Sequence, residues 1–128
     1  VDLATLTGAC VVALGNVCAG IMGTDEKLIN SLIYSGNATG ERVWQLPFFR
    51  EYHEQVKSDV ADVRNLGIMR REAGAITGAA FLAAFVEKVP WAHLDIAGTS
   101  WSDNEVDYTK KGGTGFGVRL LIHFLESL

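Results

Sequence analysis

The opening ten residues constrain this chain more than any other stretch. Val1-Asp2-Leu3-Ala4-Thr5-Leu6-Thr7-Gly8-Ala9-Cys10 reads as a short buried strand that Thr7 and Gly8 end, after which Ala9 to Leu14 resumes as an apolar helix. A strand that delivers a small-residue turn onto a helix start leaves main-chain N–H groups free at the strand's carboxyl end. In open α/β sheets that edge is where ligands sit. No bulky side chain blocks the approach, so the binding surface is expected here.

A second stretch has the same shape. Trp91 to Ile96 reads as a strand with one internal acid, Asp95, and Ala97-Gly98-Thr99 turns out of it. If the two strands are parallel and share a sheet, their ends meet at one edge and form a shallow pocket of small side chains and free amides. From the residues alone an alternative stays open, that small residues let helices pack on strand ends.

The remaining organisation follows from periodicity. Ala9 to Met22 reads as one buried helix. Thr24 is a candidate cap for a helix with Leu28, Ile29, Leu32 and Ile33 at helical spacing, stopped by Gly36. Arg42 to Leu46 is extended and ends at Pro47, and Phe48 to Val56 is a short helix with Phe49, Tyr52 and Val56 on one face. Ser58 to Gly67 is irregular, anchored by Val60 and Val63. Gly67 to Glu72 is a charged loop. Ala73 to Lys88 is a helix whose Gly74, Gly78 and alanines permit close approach of other backbones. Ser102 to Gly113 is a polar loop, and Thr114 is expected to cap a last helix with Val118, Leu121, Ile122 and Leu125 facing inward. This is an α/β layer arrangement, and its 128 residues suit one core.

Composition excludes several classes. A net charge of −4 with scattered Lys and Arg argues against a nucleic-acid surface. The apolar run from Ala9 to Met22 has no basic leader, is broken by Gly15, Asn16 and Gly20, and falls short of the ~20 residues a membrane span needs. Cys10 and Cys18 lack metal-type spacing and are expected to be buried free thiols, which suits a reducing compartment. The chain opens inside a strand with no initiator Met, so a piece of a longer protein is expected.

Most candidate sites have plain structural explanations. His53-Glu54 begins a zinc motif that fails, because Lys57 stands where the second His belongs. His93 and Asp95 share a strand face and could both bind a metal, but Asp95 hydrogen-bonded in the core with His93 packed beside it is the preferred reading. Asp59 and Asp62 are assigned to backbone hydrogen bonds in their loop. Lys111 to Gly117 fits neither phosphate-loop pattern and is assigned to a tight entry into the last helix. Arg70, Arg71 and Glu72 are assigned to a solvated loop rather than a carboxylate site, and His123 to partly buried packing. Thr5 and Thr7 have no visible base to make either a nucleophile.

Several ordered motifs together carry a resemblance. Asp2-Leu3-Ala4-Thr5-Leu6-Thr7-Gly8-Ala9 resembles the segment after the metal-binding signature of the leucine aminopeptidases, hexameric two-metal peptidases. Arg42 to Pro47 is similar to that family's Trp-Arg-Leu-Pro region, although Gln45 departs from the usual Arg. Lys57-Ser58-Asp59, Ala61-Asp62 to Asn65, Gly74-Ala75-Ile76-Thr77 with Ala79 to Leu82, Trp91 to Thr99, and Gly113-Thr114-Gly115 match in the same order.

The resemblance implies an α/β fold, a three-layer sheet with helices on both faces, with residues 1–128 an incomplete C-terminal portion of the catalytic domain. It implies removal of N-terminal amino acids from peptides by a metal-activated water. The two divalent ions, zinc or manganese, and the catalytic Lys and Arg would be held upstream, so no catalytic residue and no metal ligand is expected here, and these residues alone should be inactive. The substrate-binding residues it implies are Thr5, Leu6, Thr7, Gly8 and Ala97. The Leu6 carbonyl would accept from the substrate and the Gly8 amide donate to it, while Thr5 and Ala97 line the pocket for the N-terminal side chain. Implied partners are peptide substrates and a homo-hexamer in the cytoplasm, with neither membrane nor nucleic acid. Two other classes remain: a non-catalytic assembly module of the same fold, and a nucleotide-binding α/β domain, against which the failed phosphate motifs stand.

Overall fold

The computed structural model describes residues 1–69 and 71–128. Its central sheet contains β1 (Asp2–Ala4), β2 (Ala19–Gly23), β3 (Val43–Gln45) and β4 (Ala92–Asp95), in the spatial order β1-β4-β2-β3. β1 and β4 are parallel neighbours, with Asp2 opposite His93 and Ala4 opposite Asp95. β2 runs antiparallel to β4 and parallel to β3. The expected parallel pair of strands ending on one edge is therefore present.

Alternation along the strands sorts the two faces. Ala19, Ile21, Ala92 and Leu94 point to a core shared with Ile29 and Leu32 of α2 (Glu26–Thr39) and with Leu120 and Phe124 of α5 (Val118–Glu126). On the opposite face Met22 and Trp91 pack on Ile76 and Ala79 of α4 (Gly74–Ala83), beside α3 (Arg50–Glu54). The short α1 (Gly8–Leu14) also packs on α4. Helices thus cover both faces, the three-layer α/β arrangement expected. Each large aliphatic side chain buried here contributes about 1.5–3 kcal/mol.

Several boundaries differ from the sequence expectations. Ala9 to Met22 is not one helix: Gly15, at φ 69 and ψ −147, ends α1, and the run resumes as β2. A continuous apolar run carries no period to separate helix from buried strand. Asp25, not Thr24, caps α2, accepting from the Leu28 N–H at 2.8 Å. Thr24 instead accepts from the Trp91 N–H through its hydroxyl at 3.2 Å. α2 also runs through Gly36 to a left-handed Gly40; Gly36 serves packing rather than termination, since the helix there backs onto Glu41 and Leu120 and a side chain would collide. α4 stops at Ala83, short of Lys88.

The last helix departs furthest. It begins at Val118, after Gly115 and Gly117 in positive φ, and the Thr114 hydroxyl bonds the Thr99 carbonyl rather than capping it. Its buried face is Leu120 and Phe124, with Leu121 half-buried, while Val118, Ile122 and Leu125 are exposed. Both stripes have helical spacing, and the side chain that chooses between them, Glu41, lies elsewhere in the chain. Glu41 is buried and accepts from the Gly117 and Leu120 N–H groups at 3.0 and 2.8 Å. The Ser102 to Gly113 loop contains a two-strand ribbon, β5 (Trp101–Ser102) with β6 (Gly112–Gly113). Val60, expected as an anchor, is exposed.

Candidate substrate-binding edge

The site is built by one buried carboxylate. Asp95 ends β4 with no exposed surface. Its Oδ1 accepts from the main-chain N–H groups of Leu6 at 3.2 Å, Thr7 at 3.4 Å and Ala97 at 3.2 Å. Its Oδ2 accepts from the Thr7 hydroxyl at 2.7 Å. The same hydroxyl accepts from the Cys10 N–H at 3.0 Å, so Thr7 is the N-cap of α1. The turn after β1 and the turn after β4 are thus tied to a single side chain. The Ile96 N–H completes the join by donating to the Ala4 carbonyl at 2.9 Å.

This arrangement brings Thr5, Leu6, Thr7, Gly8 and Ala97 together at one sheet edge. Thr5 and Gly8 are exposed, Leu6, Thr7 and Ala97 half-buried. Among the described residues neither the Leu6 carbonyl nor the Gly8 N–H has a hydrogen-bond partner. The small residues of α4 make the room. A Cβ on Gly74 would press on Ala9, and one on Gly78 would meet the side chains of Leu6 and Thr7.

A second polar cluster fastens the opposite ends of the same strands. Asp2, half-buried, accepts from the Trp91 indole N–H at 2.7 Å and from the His93 Nδ1–H at 2.6 Å. His93 is fully buried, and its Nε2 has no partner. Both strand acids therefore serve hydrogen bonding, as expected for Asp95. The sequence does not announce the partners of Asp95, the main-chain groups and the Thr7 hydroxyl of the turn after β1 with the Ala97 N–H. The signal it does carry is positional: an acid at the end of one parallel strand lies beside the turn that leaves its neighbour.

The other candidates resolve individually. Glu54, on the failed zinc motif, pairs with Lys57 at 2.6 Å, which holds its carboxyl below the usual range, and the His53 ring packs edge-on to Phe48. Asp59 and Asp62 are exposed, and it is the Ser58 hydroxyl that accepts from the Val60 and Ala61 N–H groups, which corrects the assignment of that role to the acids. His123 is half-buried against the Ser35 hydroxyl and the Tyr34 ring. Cys10 and Cys18 are free thiols, Cys10 buried and Cys18 half-buried, and burial pushes both thiols up. Arg70 lies outside the described residues.

Farther along the same edge is a cavity of about 440 Å³, lined among others by Asn16, Glu41, Arg42, Trp101, Tyr108 and Arg119. None of the five expected binding residues lines it. Among the described residues no group of three or more His, Cys, Asp or Glu side chains is placed to hold a metal. The two strand acids are already engaged by donors, so these residues do not fit the implied ions. No described helix is long and apolar enough to cross a membrane.

Comparison with known proteins decides the family. The profile described as "Cytosol aminopeptidase family, catalytic domain" matches residues 1–122. The chain belongs to this family. It is 55% identical over 126 residues to a probable cytosol aminopeptidase of Geobacter sp. (strain M21), covering 98% of this chain and 25% of that protein. Against the probable cytosol aminopeptidase of Gloeobacter violaceus the identity is 57% over 125 residues, covering 98% and 24%. The fold matches a solved mutant of tomato leucine aminopeptidase with a TM-score of 0.89 at 44% identity, over 99% of this chain and 24% of that one. The chain thus spans about a quarter of the length of these relatives, and the resemblance carried by its motifs is confirmed at the level of family and fold.

Proposed function

We propose that this chain is the C-terminal part of the catalytic domain of an aminopeptidase that removes N-terminal amino acids from peptides, and that it supplies a wall of the substrate pocket. The observation that supports this reading is the Asp95 carboxylate joining the Thr5–Gly8 turn to Ala97. The Leu6 carbonyl accepts from the substrate's main chain and the Gly8 N–H donates to it. Thr5 and Ala97 border the space for the N-terminal side chain.

Bond cleavage belongs to two divalent ions, zinc or manganese, held by residues outside this stretch. The 128 residues alone are accordingly inactive. The family resemblance further supports a cytoplasmic homo-hexamer to which this part contributes contacts.

The test uses the full-length protein and leucine and alanine anilides. Ala97→Leu adds methylenes to the pocket wall, which penalises larger ligands by roughly 1–3 kcal/mol. The expected result is a shift in relative kcat/KM from leucine toward alanine. An unchanged ratio would place Ala97 away from the bound side chain. A full-length protein without anilide hydrolysis at any zinc or manganese concentration would favour the non-catalytic assembly module.

A further inference from the structure

We propose that Asp95 is a positioning residue that sets both halves of the substrate pocket at once, so that substrate selectivity depends on a carboxylate that never touches substrate. This inference rests on the pocket reading above and extends it from the residues that line the site to the one that aligns them.

Asp95 is fully buried, and every donor given to its carboxylate comes from a pocket residue: Leu6, Thr7 and Ala97. The bond to the Leu6 N–H lies on one side of the Leu6 residue, and the bond to the Thr7 N–H fixes the peptide plane that carries the Leu6 carbonyl. That plane aims the proposed acceptor. The Thr7 hydroxyl, held by Oδ2, in turn accepts from the Cys10 N–H and fixes the start of α1, and with it the direction of the Gly8 N–H. On the other side, Oδ1 holds the Ala97 N–H and so the position of the Ala97 methyl group. A bidentate carboxylate is the one side chain of this size that accepts from both turns without itself supplying a competing donor.

Asp95→Asn keeps the shape of the side chain but replaces one acceptor oxygen by an NH₂ group. Oδ1 can still accept from the three N–H groups, whereas the Oδ2 position then faces the Thr7 hydroxyl with a donor. The Thr7 hydroxyl loses its acceptor while the N–H bonds to both turns are retained, so the Thr7 side chain, and the α1 start that it caps, lose their fixed orientation relative to Ala97. Misplacement on the ångström scale costs up to about a hundredfold in rate.

The experiment measures kcat and KM of the full-length protein for leucine and alanine anilides, for the parent, Asp95→Asn and Thr7→Val, together with Tm. The ratio of the two kcat/KM values is independent of how much enzyme is folded, so loss of fold alone does not move it. The expected result is a change of that ratio by about tenfold or more in Asp95→Asn, a smaller change in the same direction in Thr7→Val, and recovery in Thr7→Ser, which restores the hydroxyl. An unchanged ratio with a lowered Tm would overturn the proposal and leave Asp95 a stabilising residue only. If Asp95→Asn gives no soluble protein, the Thr7→Val and Thr7→Ser ratios decide by the same criterion. Ala97→Leu and Gly8→Pro measured in parallel separate the two failures. If they alter kcat/KM and Asp95→Asn does not alter the ratio, the alignment idea falls and the pocket stands. If they too change nothing, the pocket reading falls and takes this one with it.

Discussion

Replacing Gly8 by proline removes one main-chain N–H at a place where the chain tolerates the ring. Gly8 is the first residue of α1, directly after the Thr7 cap, and Pro is well accommodated at that position because its missing N–H has no intrahelical partner. The residue before a proline must be extended, and Thr7 already is, at φ −136 and ψ 139. No atom lies within 4 Å of a Cβ built on Gly8. Stability should hold or rise, by about 0.4–1 kcal/mol from the stiffer unfolded chain.

The effect on substrate is of the opposite sign. An acceptor on the bound peptide loses its donor, which costs about 1–3 kcal/mol, or roughly 5- to 150-fold in kcat/KM. The assay is steady-state hydrolysis of leucine anilide by the full-length protein, paired with a thermal melt. If the N–H binds ground and transition states equally, the loss enters through KM with kcat kept. A variant that melts like the parent with kcat/KM within about twofold of it would refute the assignment of the Gly8 N–H as a substrate contact.

Two further predictions concern stability. Glu41→Ala leaves the Gly117 and Leu120 N–H groups without their acceptor and Arg119 without its partner at 3.3 Å, so urea denaturation of the full-length protein should show a loss of about 2–3 kcal/mol in the unit containing α5; a loss under about 0.5 would mean that water replaces the cap. Burial, and then the Asp95 charge, hold the Cys10 thiol above the usual range, so the folded chain binds that proton more tightly than the unfolded one. The resulting stabilisation is complete below the ordinary thiol range and is lost as pH rises through the folded value. The urea midpoint of the parent should therefore fall more steeply from pH 8 to 10 than that of Cys10→Ala, and parallel curves would exclude the linkage.

The sequence made the paired strand ends legible because the relevant signals are local. A small-residue turn after an apolar strand is a contiguous pattern, and its repetition at Asp95 to Thr99 pointed to a parallel pair. What escaped was long-range. β2 was hidden in an apolar run whose single polar residue, Asn16, sets no period, and the break falls at Gly15, which reaches a φ that other residues resist. The face and start of α5 depend on Glu41, 76 residues before Gly117, and no local pattern in either segment announces the contact. Thr24 and Asp25 are adjacent and both suit a cap, and the choice falls to Asp25 because the Thr24 hydroxyl is taken by Trp91 across the sheet.

The two strand acids illustrate how an expensive residue acquires a place in an apolar strand. A carboxylate withdrawn from water is tolerated when several donors replace its hydration. Both acids find donors beyond their own strand, Asp95 fully buried and Asp2 still partly open to solvent. Asp2 of β1 accepts from the His93 side chain of β4 and from that of Trp91 just before it, and Asp95 of β4 accepts from the main chain just beyond β1. A slip of β1 by one residue against β4 would turn Asp2 toward the other face and carry the Leu6–Thr7 turn away from Asp95, so both carboxylates would lose donors. Register and turn conformation are consequently fixed by the same interactions. The proposed binding edge inherits the rigidity of the sheet rather than that of a loop, as the selectivity proposed for it requires.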